Sequence, residues 1–265
     1  MSLELYIEAT GESDLPVVCL HGWGMNLRVF DLIREAVEPV GVETWAMDLP
    51  GHGRSPWNPE RAEFALQMQD VLSNLPPRCV LLGWSLGGQF ALEIARVAPQ
   101  RVAGLALFAT TPRFGKTAGW ENGLEPVAFQ TFRETLLRDW QQTLADFIWL
   151  QLRGSRHAEE TQQQIRDALD AQGLPRREAL EAGLAMLANN DLRRQLPGIT
   201  HPTLLVSGQN DRVTPPGAMR WMNGQMVRSR YLEVDRAGHA PFLSHVEDCA
   251  APLREFLADV AGLQE

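Results

Sequence analysis

Val80-Leu81-Leu82-Gly83-Trp84-Ser85-Leu86-Gly87-Gly88-Gln89-Phe90 is the stretch that decides the fold. Its apolar run lacks polar alternation, as expected of a strand buried on both faces. It passes through G-x-S-x-G, Gly83 to Gly87, into a helical pattern over residues 89–98. A serine on a tight strand-to-helix turn is lifted above the sheet edge, and glycines at 83 and 87 let the backbone pack closely around it. The following helix N-terminus adds free N–H groups and the positive end of a dipole, suited to a developing oxyanion.

Working outward, similar apolar runs occupy 17–20, 44–47, 102–108, 203–207 and, more briefly, 231–234. Helical patterns follow several of them, near 29–37 and 64–75. Alternating strand and helix predicts an α/β fold with a mostly parallel central sheet flanked by helices. Between the runs at 102–108 and 203–207 the strand signal stops. Phe132, Leu136, Trp140, Leu144, Phe147 and Ile148 form a stripe at spacings of three and four, expected of one amphipathic helix. Helical patterns over 159–171 and 176–189 flank Gln172-Gly173-Leu174-Pro175, a stop followed by a restart. The expected organisation is a core from 1–111 and 192–265 with a helical lid over 112–191.

A serine hydroxyl becomes a useful nucleophile only beside a base that a carboxylate orients. Asp211 follows the run 203–207 through Gly208-Gln209-Asn210, at the carboxyl end of the sheet. His239 lies in Ala237-Gly238-His239-Ala240-Pro241-Phe242, after the run 231–234. Ser85, Asp211 and His239 are therefore the candidate catalytic triad. A plain helix cap is the competing role for Asp211, but Thr214 is the more natural cap before Pro215-Pro216. Asp235 lies too near His239 in sequence to reach the far ring nitrogen. His52, His157, His201 and His245 read as solvated or structural. The backbone N–H groups of Leu86 and Trp23, the latter in His21-Gly22-Trp23-Gly24, form the expected oxyanion hole, with His21 bracing that loop. Trp23 and Trp84 read as core indoles that also line an apolar pocket. Asp48-Leu49-Pro50-Gly51-His52-Gly53-Arg54-Ser55 reads as scaffold.

The 265 residues carry 24 Lys+Arg against 33 Asp+Glu, a formal charge of −9, so no basic footprint for nucleic acid is present. No apolar run approaches the roughly 20 residues a bilayer span needs, and residues 1–6 lack a signal-peptide profile. Cys19, Cys79 and Cys249 show no metal spacing, and Cys19 and Cys79 read as buried thiols suited to a reducing compartment. The expectation is a cytoplasmic monomer needing no metal or organic cofactor, with neither nucleic acid nor membrane as partner.

Taken together, His21-Gly22-Trp23-Gly24, the segment from Asp48 to Ser55, Gly83-Trp84-Ser85-Leu86-Gly87-Gly88 and Ala237-Gly238-His239-Ala240-Pro241-Phe242 resemble the α/β-hydrolase superfamily. Within it, the chain is similar to the pimeloyl-[acyl-carrier protein] methyl ester esterases of biotin biosynthesis. The resemblance implies a serine carboxylesterase that releases methanol from a pimeloyl methyl ester carried on an acyl carrier protein. It also implies substrate contacts from Phe147, Ile148, Trp149, Leu150 and Gln151, beside Trp23, Ser85, Leu86 and His239. That family's lid is basic, whereas residues 112–191 here hold nine basic against twelve acidic side chains, a net of −3. Arg153 and Arg156 are the candidates for carrier docking. A general short-chain esterase, lactonase or thioesterase, or a ligand receptor on the same scaffold, remains open as an alternative.

Overall fold

The apolar runs lie side by side in a seven-stranded sheet in the computed structural model, which describes residues 1–262. The strands are β1 (Ile7–Thr10), β2 (Val17–Leu20), β3 (Thr44–Met47), β4 (Cys79–Trp84), β5 (Val102–Phe108), β6 (Thr203–Gly208) and β7 (Ser229–Val234), in spatial order β1-β3-β2-β4-β5-β6-β7. Every neighbouring pair is parallel except β1 with β3. All residues of β2, β4, β5 and β6 are buried, which explains runs without polar alternation.

The flanking helices are α1 (Asp31–Val37), α2 (Phe64–Ser73) and α3 (Leu86–Val97). Beyond β5, α4 (Pro126–Arg138), α5 (Trp140–Leu152), α6 (Ala158–Gln172) and α7 (Arg177–Asn189) stand together as an insert before β6. The chain ends with α8 (Pro216–Gln225), the one-turn α9 (Pro241–Ser244) and α10 (Val246–Gly262). Helix α1 packs on α10 and α2 on α3, so both faces of the sheet are covered.

The stripe from Phe132 to Ile148 is not one helix. It breaks between α4 and α5 at Asp139, where the backbone leaves helical angles (φ −150°, ψ 88°) and the carboxylate accepts the Gln142 N–H at 3.1 Å. A capping side chain at that position starts a new helix in a new direction while the apolar spacing runs on. Strand β1 has no apolar run because it is a half-exposed edge.

The order of strands reverses direction between β2 and β4. Chain crossovers leave these two neighbours on opposite sides, and the crevice at their carboxyl ends is where open α/β sheets bind ligands. Leu20 pairs with Gly83 there, so the loop after β2 and the turn after β4 emerge side by side.

Candidate active site

At the end of β4 the chain turns so sharply that Ser85 sits at φ 55° and ψ −115° before α3 begins. A non-glycine residue at positive φ costs of order 1–3 kcal/mol and persists only where surroundings enforce it. Here the enforcing contacts are glycines. A β-carbon at Gly87 would lie 2.0 Å from the Leu20 carbonyl oxygen, and one at Gly88 1.9 Å from Thr110 Oγ1. Ser85 itself is only 7% exposed.

Asp211 and His239 come from the loops after β6 and β7. His239 Nδ1 lies 2.8 Å from Asp211 Oδ2, with both side chains buried. Two backbone amides, Val213 N–H and Thr214 N–H, donate to Asp211 Oδ1 at 2.8 and 2.9 Å. The Thr214 hydroxyl lies 2.8 Å from Oδ2 and 2.8 Å from the Ala109 carbonyl oxygen. Pro215, not Thr214, occupies the N-cap position of α8 and makes no side-chain cap bond, while the Thr214 side chain engages the carboxylate. Asp235 is exposed and faces Arg236 at 3.6 Å, away from the imidazole.

The far side of the ring is different. His239 Nε2 is buried with no hydrogen-bond partner, so Ser85 and His239 are not hydrogen-bonded to each other. The backbone of His239 is held at both ends. Its N–H donates to the Gln151 carbonyl at 2.8 Å, and its carbonyl accepts the Trp84 indole N–H at 2.9 Å. Trp84 is fully buried, packing on His239 and Phe242, and so lines no pocket.

Next to Ser85, Gly22 approaches so closely that a β-carbon there would be 3.2 Å from the serine's own. The backbone N–H groups of Trp23 and Leu86 donate to no acceptor among the described residues. His21 fixes the loop that carries Trp23. Its Nε2 accepts the Leu49 N–H at 2.9 Å, which leaves Nδ1 to donate to the Gly22 carbonyl at 2.8 Å. Burial pushes its pKa down to about 4, consistent with a neutral ring in this role.

The Trp23 indole turns upward into the insert, donating to the Leu180 carbonyl at 2.8 Å and meeting Phe132 and Phe147 edge-on. Helix α5 then divides the predicted contact segment. Phe147, Ile148 and Gln151 are buried, Leu150 is half-buried, and Trp149 is 53% exposed beneath the Arg153 guanidinium. Helical geometry sends Trp149 to the face opposite Gln151, so Trp149 does not join the other candidates. Asp48 acts as a junction: it accepts the Leu27 and Arg54 amides at 2.8 and 2.9 Å and the Gln172 side-chain amide at 2.9 Å. All three cysteines are buried and free, and burial pushes Cys19 and Cys79 up to about 12, leaving them unreactive as nucleophiles. Among the described residues no three His, Cys, Asp or Glu side chains are arranged to hold a metal ion. No described helix is long and apolar enough to cross a membrane.

A sequence profile described as the alpha/beta hydrolase family matches residues 17–251. The chain belongs to the alpha/beta hydrolase family. Among its relatives is a pimeloyl-[acyl-carrier protein] methyl ester esterase from Xanthomonas oryzae pv. oryzae, 37% identical over 97% of this chain and 100% of the relative. One of the same name from Nitrosomonas europaea is 39% identical over 92% and 95% respectively. The solved structure of an esterase from Exiguobacterium antarcticum superposes with a TM-score of 0.86 at 25% identity, covering 98% of this chain and 96% of that one.

For this hydrolase-family chain, two features of the site escaped the sequence reading. The Trp84 bond to His239 and the Thr214 bond to Asp211 join residues 155 and 3 positions apart. The first has no sequence signal. The second has one, a hydroxyl three residues after the acid, but the same hydroxyl also fits a helix cap.

Proposed function

We propose that this protein is a serine carboxylesterase that hydrolyses the methyl ester of a pimeloyl chain carried on an acyl carrier protein, with Ser85, His239 and Asp211 as its triad. The observation that carries this reading is the buried Asp211–His239 pair at 2.8 Å, whose other ring nitrogen is unpartnered beside the strained serine turn. His239 Nε2 takes the Ser85 proton as the oxygen attacks the ester carbonyl, and Asp211 stabilises the resulting imidazolium. The tetrahedral oxyanion is received by the Trp23 and Leu86 N–H groups. Methanol leaves with the proton from His239, and water activated by the same nitrogen then releases the acid. Residues 112–191 serve as the lid, with Trp23, Phe147 and Gln151 above the acyl chain. The names of the relatives support the carrier-bound substrate.

Arg153 and Arg156 are exposed at the α5–α6 turn, two and five residues beyond Gln151, and neither forms an ion pair among the described residues. They are the proposed contacts for an acidic carrier. Purified protein is assayed on the carrier-bound pimeloyl methyl ester and on free dimethyl pimelate. The expected result is a strong preference for the carrier form, and Ser85→Ala lowers turnover by on the order of 10⁴-fold or more. Equal kcat/KM for both esters would reduce the reading to a general esterase. Arg153→Glu with Arg156→Glu should raise KM for the carrier form about tenfold, more than for the free ester, and added salt should narrow the gap.

A further inference from the structure

We propose that Thr214 is a positioning residue for the triad, its hydroxyl locking the Asp211 carboxylate in the plane that His239 needs; this rests on the esterase reading above. The carboxylate is held at both oxygens, Oδ1 by the Val213 and Thr214 amides and Oδ2 by His239 Nδ1 and Thr214 Oγ1. Amides on one oxygen alone leave the other free to swing about the carboxylate's terminal torsion, which is broad for this side chain. The hydroxyl removes that freedom. It also lies 3.3 Å from His239 Nδ1, so it touches both members of the pair on the side away from Nε2.

A second observation concerns the hydroxyl's other neighbour. Among the described residues, three that are not glycine have positive φ: Ser85 at 55°, Ala109 at 44° and Arg236 at 52°. Each follows a strand directly or within two residues, β4, β5 and β7, on the rim that carries the candidate triad. Ser85 carries the nucleophile and Arg236 precedes the His239 turn. Ala109 is fully buried and has no reactive side chain. Its N–H continues the ladder to the Val206 carbonyl at 2.8 Å, while its carbonyl is delivered to Thr214 Oγ1. The strained turn therefore places a second, neutral acceptor from a neighbouring strand against the hydroxyl. A threonine hydroxyl has one proton for two acceptors, and the charged carboxylate is the stronger. The hydroxyl therefore donates to Asp211 Oδ2, and the Ala109 carbonyl is the neutral acceptor it passes over.

Thr214 lies behind the imidazole, so its loss should slow proton transfer without weakening substrate binding. The test uses p-nitrophenyl butyrate, which needs no carrier, with wild type, Thr214→Val, Thr214→Ser, Thr214→Ala and Ser85→Ala. Thr214→Val keeps the shape and removes the donor; kcat is expected to fall about tenfold with KM within about twofold. Thr214→Ser keeps the hydroxyl and should retain kcat within about threefold of wild type. Circular dichroism and thermal melts accompany each variant. If the valine variant does not fold, the serine–alanine pair isolates the hydroxyl, and alanine must be the slower by about fivefold or more. Unchanged kcat in Thr214→Val, equal kcat in serine and alanine variants, or a loss confined to KM overturns the proposal. Wild-type turnover surviving in Ser85→Ala would instead overturn the esterase reading itself, and Thr214's role with it.

Discussion

Trp84 is the variable residue between Gly83 and Ser85 in the serine turn, and its indole N–H is the only described donor to the His239 carbonyl. A buried carbonyl left without a donor costs about 1–3 kcal/mol, more than the bond itself contributes net. Trp84→Phe preserves an aromatic ring against Phe242 and removes that donor. The expected outcome is a drop in melting temperature of several degrees, together with a several-fold loss of kcat on a carrier-free ester as the His239 loop loosens. Unchanged stability and kcat would mean that the lid-side bond from His239 N–H to the Gln151 carbonyl holds the loop alone. Much of this local chemistry was readable from residue types. Ser85, Asp211 and His239 stand in order on loops at strand ends, and the glycines flanking the serine announced a close approach. What was not readable was the partner of each buried polar atom, because hydrogen bonds such as Trp84 to His239 depend on the packed core.

At the scale of elements, sequence reading succeeded where one physical rule governs a whole segment. Burial on both faces turns β2, β4, β5 and β6 into uninterrupted apolar runs, and their limits fall within a residue of those runs. It failed where two rules compete. The apolar stripe continues through Asp139, yet the capping carboxylate there splits α4 from α5. Edge strand β1 lacks any stripe. The insert is fastened to the core by side chains whose partners lie far away in sequence. Asn26 donates to the Ala168 carbonyl at 2.9 Å, Gln172 donates to Asp48 at 2.9 Å, and Asn210 donates to the Gly154 carbonyl at 2.7 Å. Gln172→Leu removes one of three hydrogen bonds to a buried carboxylate, worth roughly 1.5–3 kcal/mol because the acceptor is charged. If the seam works as described, amide hydrogen exchange should quicken in α6 and α7 while β4 and β5 stay protected. Uniform acceleration across the sheet would show that this bond supports global stability rather than the attachment of the insert.

Across the whole molecule, two buried histidines, His21 and His52, contribute most to how stability responds to acid, and the partly buried His245, also lowered by burial, acts in the same sense. Burial pushes His21 down to about 4. It pushes His52 to about 3, helped by the neighbouring His21 ring at 5.1 Å. In the unfolded chain both take up protons near the ordinary value of about 6.5. Below that pH the unfolded state therefore binds more protons than the folded one, and stability falls as pH falls until each ring protonates in place. Burial raises the Asp48 carboxyl, which works in the opposite sense and softens the lower end of the decline. Asp191, held down to about 2 chiefly by Arg193, loses its contribution only below the ordinary carboxylate range. The interval from about pH 6.5 to 4.5 thus reports mainly on the histidines, at up to about 1.4 kcal/mol per pH unit for each. Thermal melts should be level from about pH 7.5 to 6.5 and then drop steadily towards 4.5. His52→Gln keeps an amide able to donate where Nδ1 now meets the Pro50 carbonyl at 3.0 Å, and it removes one titrating ring. Its melting temperature should decline less steeply over the same interval, by roughly the share of one proton. A wild-type melting temperature that holds or rises between those limits, or an identical slope in His52→Gln, would show that these rings charge in the folded protein as readily as in the unfolded chain.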